Sequence, residues 1–177
     1  REGIAKHSRD FEPGEIPELD EYLPGQRSPL EGQLIDLADE IAYNTADLDD
    51  AFSAGLIAPE EIAVEVADFA SIHETVETQF PGATVRERFH ECLRQVIDLL
   101  VSGLIRGTTQ AAESAGCETV EDVRRAPRIA AFTPDTLEAS RQFKRFLHAH
   151  GYQSPALVAE RQHCTARIGE LFHFFVE

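Results

Sequence analysis

The residues most able to do chemistry are acidic side chains spaced along the segment from Ser28 to Asp50. At about 100° per residue of an α-helix, one face of this segment is acidic and carries Asp36, Asp39, Glu40, Tyr43, Asp47 and Asp50. The opposite face is apolar and carries Leu34, Ile35, Leu37, Ala38, Ile41, Ala42, Leu48 and Phe52. The pattern predicts one amphipathic helix with its chemistry on one side.

The charge of this acidic face needs an explanation. Seven carboxylates and no Lys or Arg lie between Ser28 and Asp50, and like charges three or four positions apart destabilise a helix. A divalent cation would offset the repulsion, since carboxylate oxygens suit magnesium and manganese. A solvated helix surface accounts for the same pattern.

The sequence also predicts where this helix begins. Ser28 can cap the first turn, Pro29 suits the first helical position, and Glu31 completes a capping box with Ser28.

Two segments resemble a known family. The segment Asp39-Glu40-Ile41-Ala42-Tyr43-Asn44-Thr45-Ala46-Asp47 resembles the last metal-binding segment of the deoxyguanosinetriphosphate triphosphohydrolases, the dNTP-cleaving branch of the HD-domain phosphohydrolases. Glu2-Gly3-Ile4-Ala5-Lys6-His7 is similar to the segment that precedes that helix in the family. Beyond Asp50 the resemblance fades, so it covers the first third of the chain.

The resemblance implies roles for particular residues. It makes Asp39 a ligand of a divalent metal, Mg or Mn, and places Tyr43 and Asp47 against the sugar and phosphates of a deoxynucleoside triphosphate. Lys6 is the nearest cation for that substrate, although a solvated surface lysine is equally open. Ala46 stands where many relatives have a histidine, so any role of an imidazole there is lost.

The other ligands that the family requires are not in this sequence. An HD site needs a His, a His-Asp pair and a distant Asp, and no His-Asp dipeptide occurs here. There is also no Met, and the chain stops inside an apolar run, Leu171 to Glu177. We therefore expect an N-terminal half to be missing and this piece to be inactive alone.

For the parent protein, the resemblance implies hydrolysis of a dNTP to deoxynucleoside and intact tripolyphosphate, and a homo-oligomer. Two alternatives stay open. One is an HD phosphohydrolase of another phosphate ester. The other is a non-catalytic helical interaction module, whose acidic face binds a basic partner.

Composition excludes some classes of protein. A net charge of −16 in 177 residues argues against a nucleic-acid surface, which needs clustered Lys and Arg. No apolar run approaches the ~18 residues of a membrane span. The three cysteines, Cys92, Cys117 and Cys164, lack metal-ligand spacing and favour a reducing cytoplasm.

The remaining pattern predicts an all-α multi-helix bundle, the C-terminal part of an HD-domain-like helical fold. We divide this single region into a loop-rich entry segment (1–27), a metal and substrate helix (28–54) and a helical bundle (55–177). Strand signals are almost absent. The predicted bundle helices run from Pro59 to about Phe80, from a Thr84/Glu87 capping box to about Ser114 with a stop at Gly116, from Thr119 to Arg125, from Thr133-Pro134 to Gly151, and from Ser154-Pro155 to the end.

A small basic patch lies on the penultimate predicted helix, at Arg141, Lys144 and Arg145. It can contact a nucleotide or a neighbouring subunit, or it can be a solvated face.

Overall fold

A computed structural model describes residues 1–176, and all the regular structure in that range is helical. The helices are α1 (Glu2–Ala5), α2 (Leu30–Ser53), α3 (Pro59–Glu65), α4 (Ala67–Gln79), α5 (Val85–Ala115), α6 (Val120–Arg125), α7 (Pro134–Phe146) and α8 (Pro155–Val176). A 3₁₀ turn spans Pro17–Tyr22, and a π turn spans Leu147–Tyr152 between α7 and α8. The all-α prediction is confirmed. The final residue of the last predicted helix, Glu177, lies outside the described residues.

The start of α2 differs from the prediction, because Ser28 makes no capping hydrogen bond and the helix begins at Leu30. Ser28 is buried, and its hydroxyl donates to the carbonyl of Pro29 at 3.3 Å. The side chain of Gln33 fixes this end instead, by donating to the carbonyl of Ser28 at 2.8 Å. The predicted Ser28/Glu31 capping box is therefore wrong.

Gln33 also ties the start of α2 to a distant part of the chain. Its carbonyl oxygen accepts from the backbone N–H groups of Ile129 and Ala130 at 2.9 Å and 3.3 Å. Because every polar atom of this buried amide is used, the contact gains stability without leaving an unsatisfied group. Gln33 thus holds the extended segment before α7 against α2.

The helix predicted from Pro59 to Phe80 is interrupted. Val66 is fully buried and has an extended backbone (φ −123°, ψ 102°), which separates α3 from α4. The bend lets α3 contact α7 while α4 packs along α5. No Pro or Gly marks this position, so the apolar spacing alone predicted one continuous helix.

The long helix α5 follows the prediction closely. Thr84 accepts from the N–H of Glu87, whose carboxylate accepts in return from the N–H of Thr84 at 2.7 Å. At the other end Gly116 adopts the left-handed conformation (φ 63°) that stops a helix. Both predicted end signals are confirmed.

The core lies where α2, α4, α5 and α7 meet. Phe69 is at its centre, with ring centroids 6.3 Å from Phe89 and 6.4 Å from Phe143. Burying a side chain of this size stabilises a fold by about 1.5–3 kcal/mol. Other fully buried members of the core are Leu48, Ile62, Val66, Val76, Val96, Leu100, Phe146 and Leu147.

The apolar face of α2 is only partly covered. Ile41 and Leu48 are buried, but Ile35 is 45% exposed, and Ala38 and Ala42 are exposed as well. Ala38, Ile41 and Ala42, with the α5 side chains facing them, border an apolar groove of about 510 Å³. No helix between residues 1 and 176 is long and apolar enough to cross a membrane.

Candidate functional site

The helix α2 carries Asp39, Tyr43 and Asp47 at intervals of one turn, so the three lie along one stripe. Asp39 is exposed and Tyr43 is 56% exposed, whereas Asp47 is half-buried. This geometry follows from the helical spacing. The metal role of Asp39 and the substrate roles of Tyr43 and Asp47 stay predictions.

Cations from other elements neutralise part of the acidic face. Glu40 accepts from Lys144 at 3.3 Å and from the hydroxyl of Ser140 at 3.2 Å, both on α7. Asp36 lies 3.7 Å from the guanidinium of Arg128. Sequence reasoning missed these pairs, because each joins residues about 90 positions or more apart.

Asp39 is different, because its carboxylate has no hydrogen-bonding or ionic partner among residues 1–176. Over the described residues, the acidic face therefore keeps an unpaired carboxylate where the resemblance expects a metal ligand, and a second one at Asp50. A free, exposed carboxylate on a rigid helix can accept a ligand from outside.

The residues present do not complete a metal site. Within the described range, no three His, Cys, Asp or Glu side chains lie close enough together to hold a metal ion. Magnesium requires near-octahedral coordination and manganese likewise prefers oxygen ligands in this arrangement, and Asp39 provides a single carboxylate. This chain by itself does not fit the implied metal.

Asp47 has a partner from the other end of the chain. The hydroxyl of Tyr152, in the π turn, donates a short hydrogen bond to the Oδ2 of Asp47, 105 positions away. Burial raises the pKa of Tyr152 above its usual value, and the hydrogen bond to Asp47 and the neighbouring Tyr43 raise that pKa further. Tyr152 is consequently a neutral hydrogen-bond donor.

A small cleft opens beside this pair. It measures about 240 Å³, and Asp47, Asp50 and Tyr152 form its polar wall. The floor is apolar and is formed by Ala51, Ala54, Leu56, Leu147, Gly151 and Leu157. A few polar groups over an apolar floor are the composition of small-molecule sites, and this cleft is smaller than most of them.

The basic patch predicted on the penultimate helix lies on α7, next to α2. Arg141, Lys144, Arg145 and also His148 border a shallow cleft of about 350 Å³. Arg145 is paired with Glu138 at 2.7 Å, and Lys144 with Glu40 at 3.3 Å. The patch is thus close to the acidic face of α2, and two of its cations are already in ion pairs.

Lys6 is not a solvated surface lysine, because its side chain is 1% exposed. Its ammonium donates to the carbonyls of Tyr22, Leu23 and Arg27 at 3.1–3.3 Å and to Glu2 at 3.3 Å. These bonds fold the segment before α2 around Lys6. A substrate-binding role for Lys6 stays a prediction, and it requires some of these bonds to break.

Tyr152 is the site residue that sequence reasoning did not find. The prediction ended the α7 helix at Gly151 and gave the next residue no role. The available signal was Gly151 inside a helical pattern, since a conformationally permissive residue there suggests irregular backbone. The structure shows that this irregularity is the π turn.

No family model matches this chain. It is 35% identical to a deoxyguanosinetriphosphate triphosphohydrolase-like protein of Ralstonia nicotianae, over 100% of the chain and 46% of that protein. Proteins of the same description from Thiobacillus denitrificans (38% identity, 86% of the chain, 41% of the relative) and Geobacter sulfurreducens (31% identity, 99% of the chain, 46% of the relative) are also similar.

The similarity extends well beyond Asp50, so the prediction that it fades after the first third of the chain was wrong. The chain spans a little less than half the length of the curated relatives it matches. The resemblance first indicated by two short segments is confirmed, and from end to end the sequence is similar to deoxyguanosinetriphosphate triphosphohydrolase-like proteins.

Proposed function

We propose that this chain is the C-terminal portion of an enzyme that hydrolyses deoxynucleoside triphosphates to deoxynucleoside and tripolyphosphate. The observation that carries the proposal is the stripe of Asp39, Tyr43 and Asp47 on α2, in which Asp39 is exposed and without a partner in the described part of the chain. Similarity to the dGTPase-like proteins along the whole chain supports it.

In this proposal Asp39 supplies one ligand of a divalent ion, magnesium or manganese. The other ligands come from the part of the relatives that this chain does not span. The 177-residue chain is then inactive alone, because one carboxylate does not hold the ion.

The cleft beside Asp47 and the basic patch on α7 divide the substrate between them. Asp47 lines the cleft, and Tyr43 lies next to Tyr152 beside it. The two side chains accept or donate hydrogen bonds to a sugar, so that the reacting atoms stay aligned. Arg141 and His148 at the second attract the phosphates, which offsets the net charge of −16. Two cations of that patch are already paired with carboxylates, and a triphosphate would compete for them.

The apolar groove between α2 and α5 is the surface on which the missing half packs. Its α5 wall includes Ile97, Val101 and Ile105, which are 41%, 39% and 61% exposed. On α2, Ala38 and Ala42 directly precede Asp39 and Tyr43. A segment seated there would bring its polar side chains to Asp39.

The apolar end of α8 supports a homo-oligomer in the same proposal. Phe172, Phe174 and Phe175 are between 63% and 78% exposed, and self-association would cover them.

The three free cysteines fit a reducing cytoplasm.

The test uses the full-length protein, with release of tripolyphosphate from each of the four common dNTPs measured with magnesium or manganese. Asp39→Asn should lower turnover at least about a hundredfold, since loss of a metal ligand removes several kcal/mol of stabilisation. Glu31→Gln is the matched control, because Glu31 is an exposed acid on the same helix, and it should leave turnover unchanged.

Unchanged turnover in Asp39→Asn would refute the proposed role. Release of orthophosphate or pyrophosphate would point to another phosphate ester chemistry. If the full-length protein hydrolyses none of the dNTPs, the proposal is refuted and the non-catalytic interaction module is favoured.

A further inference from the structure

The π turn Leu147–Tyr152 is an unusual piece of backbone in this fold. Such turns are rare and occur often at functional sites. Here Leu147 and Gly151 are buried, and the turn packs against α2. The side chain that follows them, Tyr152, is directed to Asp47.

The position of Tyr152 is fixed on both sides. Its carbonyl accepts from the guanidinium of Arg161 on α8 at 2.6 Å, and its hydroxyl donates to Asp47 on α2. The π turn, α8 and the distant helix α2 therefore meet at Tyr152. This arrangement is more specific than core packing, which needs no hydroxyl.

We infer that Tyr152 is a positioning residue, whose hydroxyl holds the Oδ2 of Asp47 so that Oδ1 accepts a hydrogen bond from the sugar hydroxyl of the substrate. The inference rests on the proposed function, which places Asp47 at the sugar. It assigns Tyr152 a role through Asp47 and no contact with the reacting atoms.

The chemistry of the two groups agrees with this role. A carboxylate accepts from hydroxyls and repels phosphates, so Asp47 suits the sugar better than the triphosphate. Its Oδ1 has no other partner within residues 1–176. Since its pKa is raised, the phenol of Tyr152 keeps its proton and stays a donor throughout the physiological range.

The first experiment tests the contact itself, in the full-length protein and without any activity. Tyr152→Phe, Asp47→Ala and the double variant are compared by their midpoints of urea unfolding. Because either single change breaks the same bond, the double variant should lose clearly less than the sum of the two. Tyr22→Phe combined with Asp47→Ala is the control and should be additive, since Tyr22 lies in the entry segment. Additive losses in both pairs would refute the contact.

The second experiment tests the positioning role, in the full-length protein. Tyr152→Phe should raise KM for a dNTP about tenfold, the effect of one misplaced hydrogen bond, with a smaller change in kcat. The same variant should leave the kinetics of a 2′,3′-dideoxynucleoside triphosphate unchanged, because that substrate lacks the sugar hydroxyl. Tyr22→Phe should change neither substrate.

The outcomes separate the two claims. If Tyr152→Phe impairs both substrates equally, Tyr152 is merely structural and the inference fails while the proposed function stands. If the wild-type full-length protein hydrolyses no dNTP, the proposed function fails and the positioning role falls with it. The urea cycle still decides whether the contact exists.

Discussion

Arg124 forms a two-pronged ion pair with Glu2, a residue 122 positions away. Its Nη2 lies 2.7 Å from Oε2 and its Nε 3.3 Å from Oε1 of the carboxylate. Both side chains are less than a fifth exposed. The pair joins α1 to α6, and it therefore closes the segment before α2 onto the body of the fold.

Replacing Glu2 by Gln should lower the free energy of unfolding at pH 7 by about 1–3 kcal/mol, the range for hydrogen bonds to charged groups in a partly buried setting. The measurement is urea unfolding followed by circular dichroism. Glu121→Gln is the matched control, because Glu121 binds the same arginine at 3.1 Å but is 63% exposed. An exposed ion pair of this kind contributes at most about 1 kcal/mol.

The contribution of Glu2 should depend on pH in one direction. The hydrogen bond from Arg124 holds the pKa of Glu2 below its ordinary value of 4.5. Because the folded pKa is lower than the unfolded one, the stability is present above pH 4.5 and is lost as the pH falls through the folded pKa. The difference between wild type and Glu2→Gln should shrink below that pH. A difference that stays constant to pH 3 would contradict the ion pair.

Lys6 should contribute substantially to the free energy of unfolding, although it lies near the end of the chain. Lys6→Met removes a buried ammonium and leaves the carbonyls of Tyr22, Leu23 and Arg27 without their donor. We expect a loss of about 2–4 kcal/mol in urea unfolding, since unpaired buried polar groups are costly. Leu23 has a left-handed backbone (φ 52°), a conformation that needs such support.

Limited proteolysis checks the same change locally. Trypsin should cleave Lys6→Met faster after Arg9 and Arg27, which border the released segment. Lys144→Met is the control, because the Lys144 side chain is 62% exposed. Equal cleavage rates in the two variants would show that Lys6 does not hold this segment.

Local signals were the ones that sequence reasoning could use. The caps of α5 at Thr84 and Gly116, and the start of α7 at Thr133-Pro134, depend on residues within one turn of each other. Each was predicted correctly. The Ser28 cap was wrong for the opposite reason, since Gln33 and its partners around Ile129 decide the start of α2.

In the candidate site, too, local features could be predicted from the sequence and long-range contacts could not. The stripe of Asp39, Tyr43 and Asp47 follows from helical spacing and could be predicted. The partners of the stripe could not, because Lys144 and Tyr152 reach α2 only after the chain has folded. The burial of Lys6 could not be predicted from the sequence either, because its partners are mostly backbone carbonyls, which every residue has.

At position 107 only glycine fits, because the backbone of another segment lies very close to the helix there. Gly107 lies in the C-terminal half of α5, where the backbone of residues 131–133 passes close to the helix. A Cβ at this position would lie 2.4 Å from the carbonyl oxygen of Ala131 and 2.4 Å from the carbonyl carbon of Phe132. The three nearest atoms all belong to the backbone of residues 131–133, so no flexible side chain is there to move aside.

Gly107→Ala should therefore lower the free energy of unfolding by about 1–3 kcal/mol, the cost of overpacking a core, although alanine is the better helix former. Gly169→Ala is the matched control, because Gly169 is also helical and nothing lies within 4 Å of its added Cβ. That variant should gain up to about 1 kcal/mol from helix propensity. Urea unfolding of the two variants should thus show shifts of opposite sign, and a stabilised Gly107→Ala would mean that the segment around Phe132 does not cross α5 this closely.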